Sequence, residues 1–221
     1  FDSDVRNKML RTSLSNTAQI LEKDGVPYAP RQIGAGLVDT KAALATDVFA
    51  TVDGVPTVAM RELKGPKTFT VKLQNKGDKD HSFTTDGTCV LGETQDPNGN
   101  ATKCSDGETL TASAKTVTVP AHGEATVHFT VTPAGSENHW IEGWAKLTSS
   151  DAKQPSLSVP YLGFAGDWNA ERIVDDPTKE SVFTKMLGED QPHFTHVQSN
   201  FLQFGGVPTE WISPNLSLIH I

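Results

Sequence analysis

Between Val48 and about Gly163 apolar and polar positions alternate. Thr70 and Lys72 separate Phe69, Val71 and Leu73; Thr118 separates Val117 and Val119; His128 and Thr130 separate Val127, Phe129 and Val131. A period of two sends successive side chains to opposite faces of an extended chain, so each run predicts a strand with one face in a core and the other in water. Trp140, Gly143 and Trp144 open a further run that reaches Leu147, and Leu157, Val159 and Tyr161 form the last. Asp53-Gly54, Lys64-Gly65-Pro66, Lys76-Gly77-Asp78 and Ala121-His122-Gly123 supply turns between them,. Short strands so punctuated predict a β-sandwich.

The span is close to one immunoglobulin-like domain, about 100 residues. A Gly- and Asp-rich insert from Thr85 to Thr111 interrupts it. The flanks follow another pattern. Over residues 1–24, Val5, Met9, Leu10 and Leu14 recur at helical spacing, with Asp2, Ser3 and Asp4 as N-cap candidates,. Ser13 to Ala18 breaks this helix, and Gly25-Val26-Pro27 ends the segment. Asp39 is placed to cap a short helix, Thr40 to Ala45, whose Leu44 and alanines are expected to pack inward. After Gly163 the pattern fades. Gly166 to Asn169 and Asp175-Asp176-Pro177 read as loop, Glu180 to Leu187 as a helical turn or two, and residues 188–221 as aperiodic. Phe194, Phe201, Leu202, Phe204 and Trp211 are scattered there, an aromatic surface that calls for a partner. The chain opens on Phe1 and closes on an apolar Ser217 to Ile221, which predicts a piece of something longer.

The 221 residues carry 19 Lys+Arg against 27 Asp+Glu, a formal charge of −8. A phosphate backbone needs clustered cations, so nucleic acid is excluded as a partner. No apolar run has the length of a membrane span.

Two cysteines, Cys89 and Cys104, lie in the insert beside Glu93, Asp96 and Asp106. Neither is part of a Cys-x-x-Cys pair, which argues against zinc and thioredoxin-type chemistry. The acidic neighbours disfavour a reactive thiolate. A disulfide stapling the loop is the reading; a pair of free thiols is the alternative. Closing a loop of that length is worth about 3 kcal/mol in the chain-entropy model, and a disulfide implies an extracellular or periplasmic setting.

The stretch Gln32-Ile33-Gly34-Ala35-Gly36-Leu37-Val38-Asp39-Thr40-Lys41-Ala42-Ala43-Leu44 resembles the G-x-G-x-[VL]-[ND]-[AV]-x-x-A-[AL] segment that closes the protease domain of subtilisin-like serine proteases. Val5-Arg6-Asn7-Lys8-Met9-Leu10, with Asn16-Thr17-Ala18, is similar to the helix preceding it. The run Val159-Pro160-Tyr161-Leu162-Gly163-Phe164-Ala165-Gly166-Asp167-Trp168 resembles the end of the fibronectin type III-like domain in large cell-envelope proteinases of the lactocepin group. The resemblance covers about residues 1–176. It implies a mainly β chain: a fibronectin type III/immunoglobulin-like sandwich at 48–166, preceded at 1–47 by the helical C-terminal piece of an α/β subtilisin-like domain and followed at 167–221 by a linker and the start of another domain.

On that resemblance the nucleophile, aspartate and histidine motifs of the family all lie upstream. No G-T-S-x-A-x-P-H run occurs here. Ala121-His122-Gly123 mimics the histidine motif at two positions but follows the domain-closing segment, so a turn explains it better; Asp86-Gly87 is a similar decoy, read as a loop turn. No catalytic, cofactor-binding or metal-ligating residue is therefore assigned. His193 and His196 form an H-x-x-H with Glu189 and Asp190 nearby, but Pro192 argues against the helix that a metal pair would need. Asp167, Asp175 and Asp176 lack the spacing of a calcium loop, and structural calcium is left to the parent protein. Lys76-Gly77-Asp78 matches an integrin-type tripeptide and is also ordinary turn chemistry. Asn100-Ala101-Thr102 and Asn215-Leu216-Ser217 match the N-glycosylation acceptor, which matters only in a glycosylating host.

The expected partners are the flanking domains of the same parent chain, with a protein or peptide as the parent's substrate. The expected location is extracellular, secreted or bound to the cell wall. The competing reading is a surface adhesin or ligand-binding sandwich module.

Overall fold

The computed structural model describes residues 3–92, 103–135 and 138–167. These belong to a unit that ends at Asp167. The helix expected over Glu180–Leu187, the aromatic tail, His193 and His196, Asp175-Asp176 and both glycosylation asparagines lie outside the described residues.

Helix α1 (Ser3–Asn16) leads into a hairpin of β1 (Glu22–Lys23) and β2 (Val26–Pro27), then two short helices, α2 (Pro30–Ile33) and α3 (Thr40–Ala45). The strands β3 (Val48–Thr51), β4 (Val58–Leu63), β5 (Lys67–Asn75), β6 (His81–Gly87), β7 (Thr109–Ala112), β8 (Thr116–Val119), β9 (Glu124–Thr132), β10 (His139–Ser149) and β11 (Leu157–Ala165) follow. One sheet has the order β4-β11-β10-β6-β8 and the other β3-β5-β9-β7. The β4–β11 pair is parallel, and the remaining pairs are antiparallel. The architecture is a mainly β sandwich, as the alternating pattern predicts.

The core follows from that alternation. Val71, Phe129 and Val131 of one sheet and Ile141, Leu147 and Val159 of the other have no exposed surface and share one cluster. Each such side chain contributes about 1.5–3 kcal/mol on leaving water. Phe69 stacks on Phe129 across the β5–β9 pair, ring centroids 5.7 Å apart. On the outer face the same two strands pair polar groups: the Thr68 and Thr130 hydroxyls are 2.8 Å apart, and Lys72 meets Glu124 at 2.7 Å.

Strands β10 and β11 depart from alternation and are buried almost continuously. Their second face is covered at Glu142, Trp144, Ser158 and Pro160. Ile141, Ala145 and Leu147 enter the inter-sheet core, whereas Trp144 packs with Ala29 and Leu91 and Glu142 pairs with Arg31. A sheet covered on both sides loses its period-two signature.

The N-terminal helices require corrections. The apolar positions of α1 do not form its buried face. Val5 is 44% and Leu10 52% exposed, and the side chains taken inside are Thr12, Ser13 and Asn16. Leu44 of α3 is 84% exposed, and Ala43 is buried instead. The expected cap is present: an Asp39 carboxylate oxygen accepts from the Ala42 N–H at 2.9 Å, and this hydrogen bond, followed by the one donated by the Gln19 side-chain amide, holds its carboxyl below the ordinary 3.8,.

Candidate functional site

The part of the molecule with the densest specific chemistry is the seam where residues 12–47 lie on the sandwich. Asn16 sits at its centre, 1% exposed. Its Oδ1 accepts from the Ala50 N–H at 2.8 Å and its Nδ2 donates to the Ser158 carbonyl at 3.2 Å. Ala50 is in β3 and Ser158 in β11, so one amide at the end of α1 ties both sheets to the helix. Thr12 and Thr17 bond back to the carbonyls of Lys8 and Ser13, which lets hydroxyls be buried without an unmet donor. Further along, Gln154 of the β10–β11 turn accepts from the Asp47 N–H and donates to the Thr46 hydroxyl.

Helix α2 carries the second contact. Pro30 occupies the first turn, where its missing N–H costs nothing, and the Gln32 side chain accepts from the Ala29 N–H at 3.0 Å. Ala29, fully buried, rests with Leu91 on Trp144, and Ile20, Val26 and Ile33 close the cluster. The Trp144 indole N–H donates to the Ala35 carbonyl at 3.3 Å. Beside it, Glu142 receives Arg31 twice: Nε on Oε1 at 2.7 Å and the backbone N–H on Oε2 at 3.0 Å. The Arg31 guanidinium lies over the Trp140 ring, 4.5 Å from its centroid, a cation–π contact. Glu142 has no exposed surface. Burial pushes its carboxyl above the ordinary 4.5, and Arg31 opposes that shift without cancelling it,.

The two glycines of the Gly34-Ala35-Gly36 motif acquire a physical role here. Gly34, at φ 63, stops α2. Gly36 adopts φ 127, and a Cβ there would stand 2.4 Å from the Gln19 carbonyl oxygen. The chain must pass that close because Gln19 and Leu37 exchange two backbone hydrogen bonds of 2.8 and 2.9 Å.

Cys89 and Cys104 are joined as a disulfide. It closes a narrow ribbon along β10. Leu91 exchanges backbone hydrogen bonds with Glu142, and Ser105 donates to Val90. The bridge thus reaches the same seam.

The catalytic look-alikes are not brought together. His122 stands in the β8–β9 turn at φ 52 and pairs with Asp78 at 2.8 Å, both exposed. Asp86-Gly87 lies at the end of β6, with Gly87 opposite Ala145, rather than in a loop turn. Gly77 of the Lys76-Gly77-Asp78 turn is set by packing, since a Cβ there would stand 2.6 Å from the Asp47 carboxylate. Among the described residues no cluster of three or more His, Cys, Asp or Glu side chains could hold a metal ion. No described helix is long and apolar enough to cross a membrane.

Sequence reasoning missed Arg31 and Glu142. The available signal was a lone carboxylate inside the apolar run Trp140-Ile141-Glu142-Gly143-Trp144. A charge there needs a buried partner.

Residues 58–162 match the family model of the Fn3-like domain. A PII-type proteinase of Lactococcus lactis subsp. cremoris is 32% identical over 183 residues, covering 75% of this chain and 10% of its own length. A PII-type proteinase of Lacticaseibacillus paracasei matches at the same identity and coverage. A C5a peptidase of Streptococcus pyogenes is 26% identical over 189 residues, covering 80% of this chain and 16% of its own length. The chain thus spans about a tenth of the length of the lactococcal relatives it matches.

Proposed function

We infer that this chain, which carries an Fn3-like domain and has proteinases and C5a peptidase as its homologues, is a non-catalytic portion of a secreted or cell-surface subtilisin-like serine endopeptidase. The parent hydrolyses peptide bonds through an acyl-enzyme. Residues 1–47 are the end of its protease domain, and the sandwich braces that domain and borders the substrate approach.

One observation carries the bracing role. The segment is fixed to the sandwich by buried polar groups, Asn16 and the Arg31–Glu142 pair, and by the small cluster around Ala29, while five aliphatic side chains outside that cluster face outward. Val5, Leu10, Leu37, Val38 and Leu44 are 44–84% exposed. A helix that buries its polar face on a sandwich and presents leucine to solvent has a second surface to cover. A protease domain continuous with it in sequence is the partner that fits.

The gene upstream of Phe1 tests this reading. It should encode D-[ST]-G, H-G-[TS]-x-V-A-G and G-T-S-[MA]-A-x-P-H segments in that order. An upstream region with none of these, or a start codon immediately before Phe1, overturns it and favours an adhesin module.

A further inference from the structure

We propose that the Cys89–Cys104 disulfide is a reducible latch that holds the 29–37 segment on the sandwich, acting through Leu91. The proposal stands on this chain alone and does not depend on the parent's activity.

The bond lies at the surface while its neighbours lie inside. Cys89 is exposed and Cys104 half-buried, whereas Val90 and Leu91 are 2% and 0% exposed. The strand that begins at Cys89 therefore presents a sulfur to solvent and its next two side chains to the interior. Leu91 is one wall of the small cluster formed with Ala29 and Trp144. Its backbone holds Glu142 by two hydrogen bonds of 2.8 and 3.1 Å, and the Glu142 carboxylate grips Arg31. Leu91 thus touches both attachments of α2 to the sandwich, although Glu142 and Trp144 are also held by the β10–β11 ladder.

Non-covalent support on the outer side of that ribbon is thin. Gly92 donates to Lys103 at 3.1 Å and Ser105 to Val90 at 2.8 Å. The inner strand of the ribbon is not one of the sheets' own strands; it meets β10 at Leu91, opposite Glu142, and at its root, where Thr88 exchanges two 3.0 Å hydrogen bonds with Trp144. Cutting the cross-link returns the loop-closure entropy to the ribbon. The cost falls on Leu91, and through it on Ala29, Trp144 and Glu142, and on Val90, the one ribbon side chain in the inter-sheet core. The β5–β9 half of that core is held by its own ladder and is spared.

The switching step is thiol–disulfide exchange with a dithiol. A thiolate of the dithiol attacks Sγ of the exposed Cys89, the S–S bond breaks, and the electron pair leaves on Sγ of Cys104, which takes a proton. The second thiol of the reagent displaces Cys89 and closes its own disulfide. Two electrons and two protons pass to the protein, giving two cysteine thiols and one oxidised dithiol. Oxidation reverses the step.

Amide hydrogen exchange on the 221-residue chain, with and without dithiothreitol, tests the latch. Reduction should speed exchange across residues 29–37 on the order of tenfold to a hundredfold, leaving Val127–Val131 unchanged. The Cys89→Ser/Cys104→Ser variant should give that pattern without reductant. Leu91→Ala, disulfide intact, should loosen the same segment. Unchanged protection of 29–37 on reduction overturns the proposal. So does equal acceleration of the core, which would make the bridge a general staple, and so does a Leu91→Ala variant as protected as the wild type.

Discussion

Asn16 and Ser158 are 142 residues apart in sequence, and the Asn16 side-chain amide donates to the Ser158 carbonyl at 3.2 Å in a site closed to water. The same side chain accepts from Ala50. Removing it orphans a backbone N–H and a backbone carbonyl at once, and each buried unmet group costs about 1–3 kcal/mol. Asn16→Ala should therefore destabilise the chain by about 3 kcal/mol. Urea unfolding would show it as a lower midpoint at unchanged slope. A midpoint within error of wild type would mean that α1 is not fastened there.

The Arg31–Glu142 pair gives a pH signature. Burial leaves the Glu142 carboxyl holding its proton more tightly in the folded chain than the ordinary value of 4.5. Between that value and the raised one the folded state binds more protons than the unfolded state, so this group's contribution is fully present below 4.5 and is lost as pH climbs through the raised value. Arg31→Met removes the opposing charge and raises the carboxyl further. The variant should lose on the order of 3 kcal/mol at pH 7, in line with breaking a buried pair from one side, and much less at pH 4. A deficit independent of pH between 4 and 7 would contradict this account of Glu142.

Trp144 tests whether the second cluster matters to the whole. It is fully buried against Ala29 and Leu91. Trp144→Ala should cost about 3–5 kcal/mol through the cavity. Trp144→Phe keeps most of the volume and loses the bond to the Ala35 carbonyl, so it should cost about 1–2 kcal/mol. Equal losses for the two variants in calorimetry would show that packing around the ring contributes little.

The strands of the sandwich were legible because most have one wet face. Phe69, Val71 and Leu73, and Val127, Phe129 and Val131, declare their inward side by alternation, and the structure buries all six. Leu157, Val159 and Tyr161 were visible as a run, but β11 is covered on both faces and its order along the sheet was not readable. The parallel β4–β11 pairing was also hidden, because Val58–Leu63 carries a register shift against Leu162 and Gly163. The Asp39 cap was read from one residue type at one position. The N-terminal seam was not readable, for a physical reason. Hydrophobic spacing locates a buried face only when that face is apolar, and α1 buries Thr12, Ser13 and Asn16.

The central claim is that the chemistry of the parent resides outside these residues. The intact parent protein, labelled with a fluorophosphonate serine reagent and mapped by peptide mass spectrometry, tests it most directly. A single modified serine upstream of Phe1, with His122→Ala having no effect on labelling, is the predicted result. A modified serine within the 221 residues, or no modified serine anywhere, would contradict it.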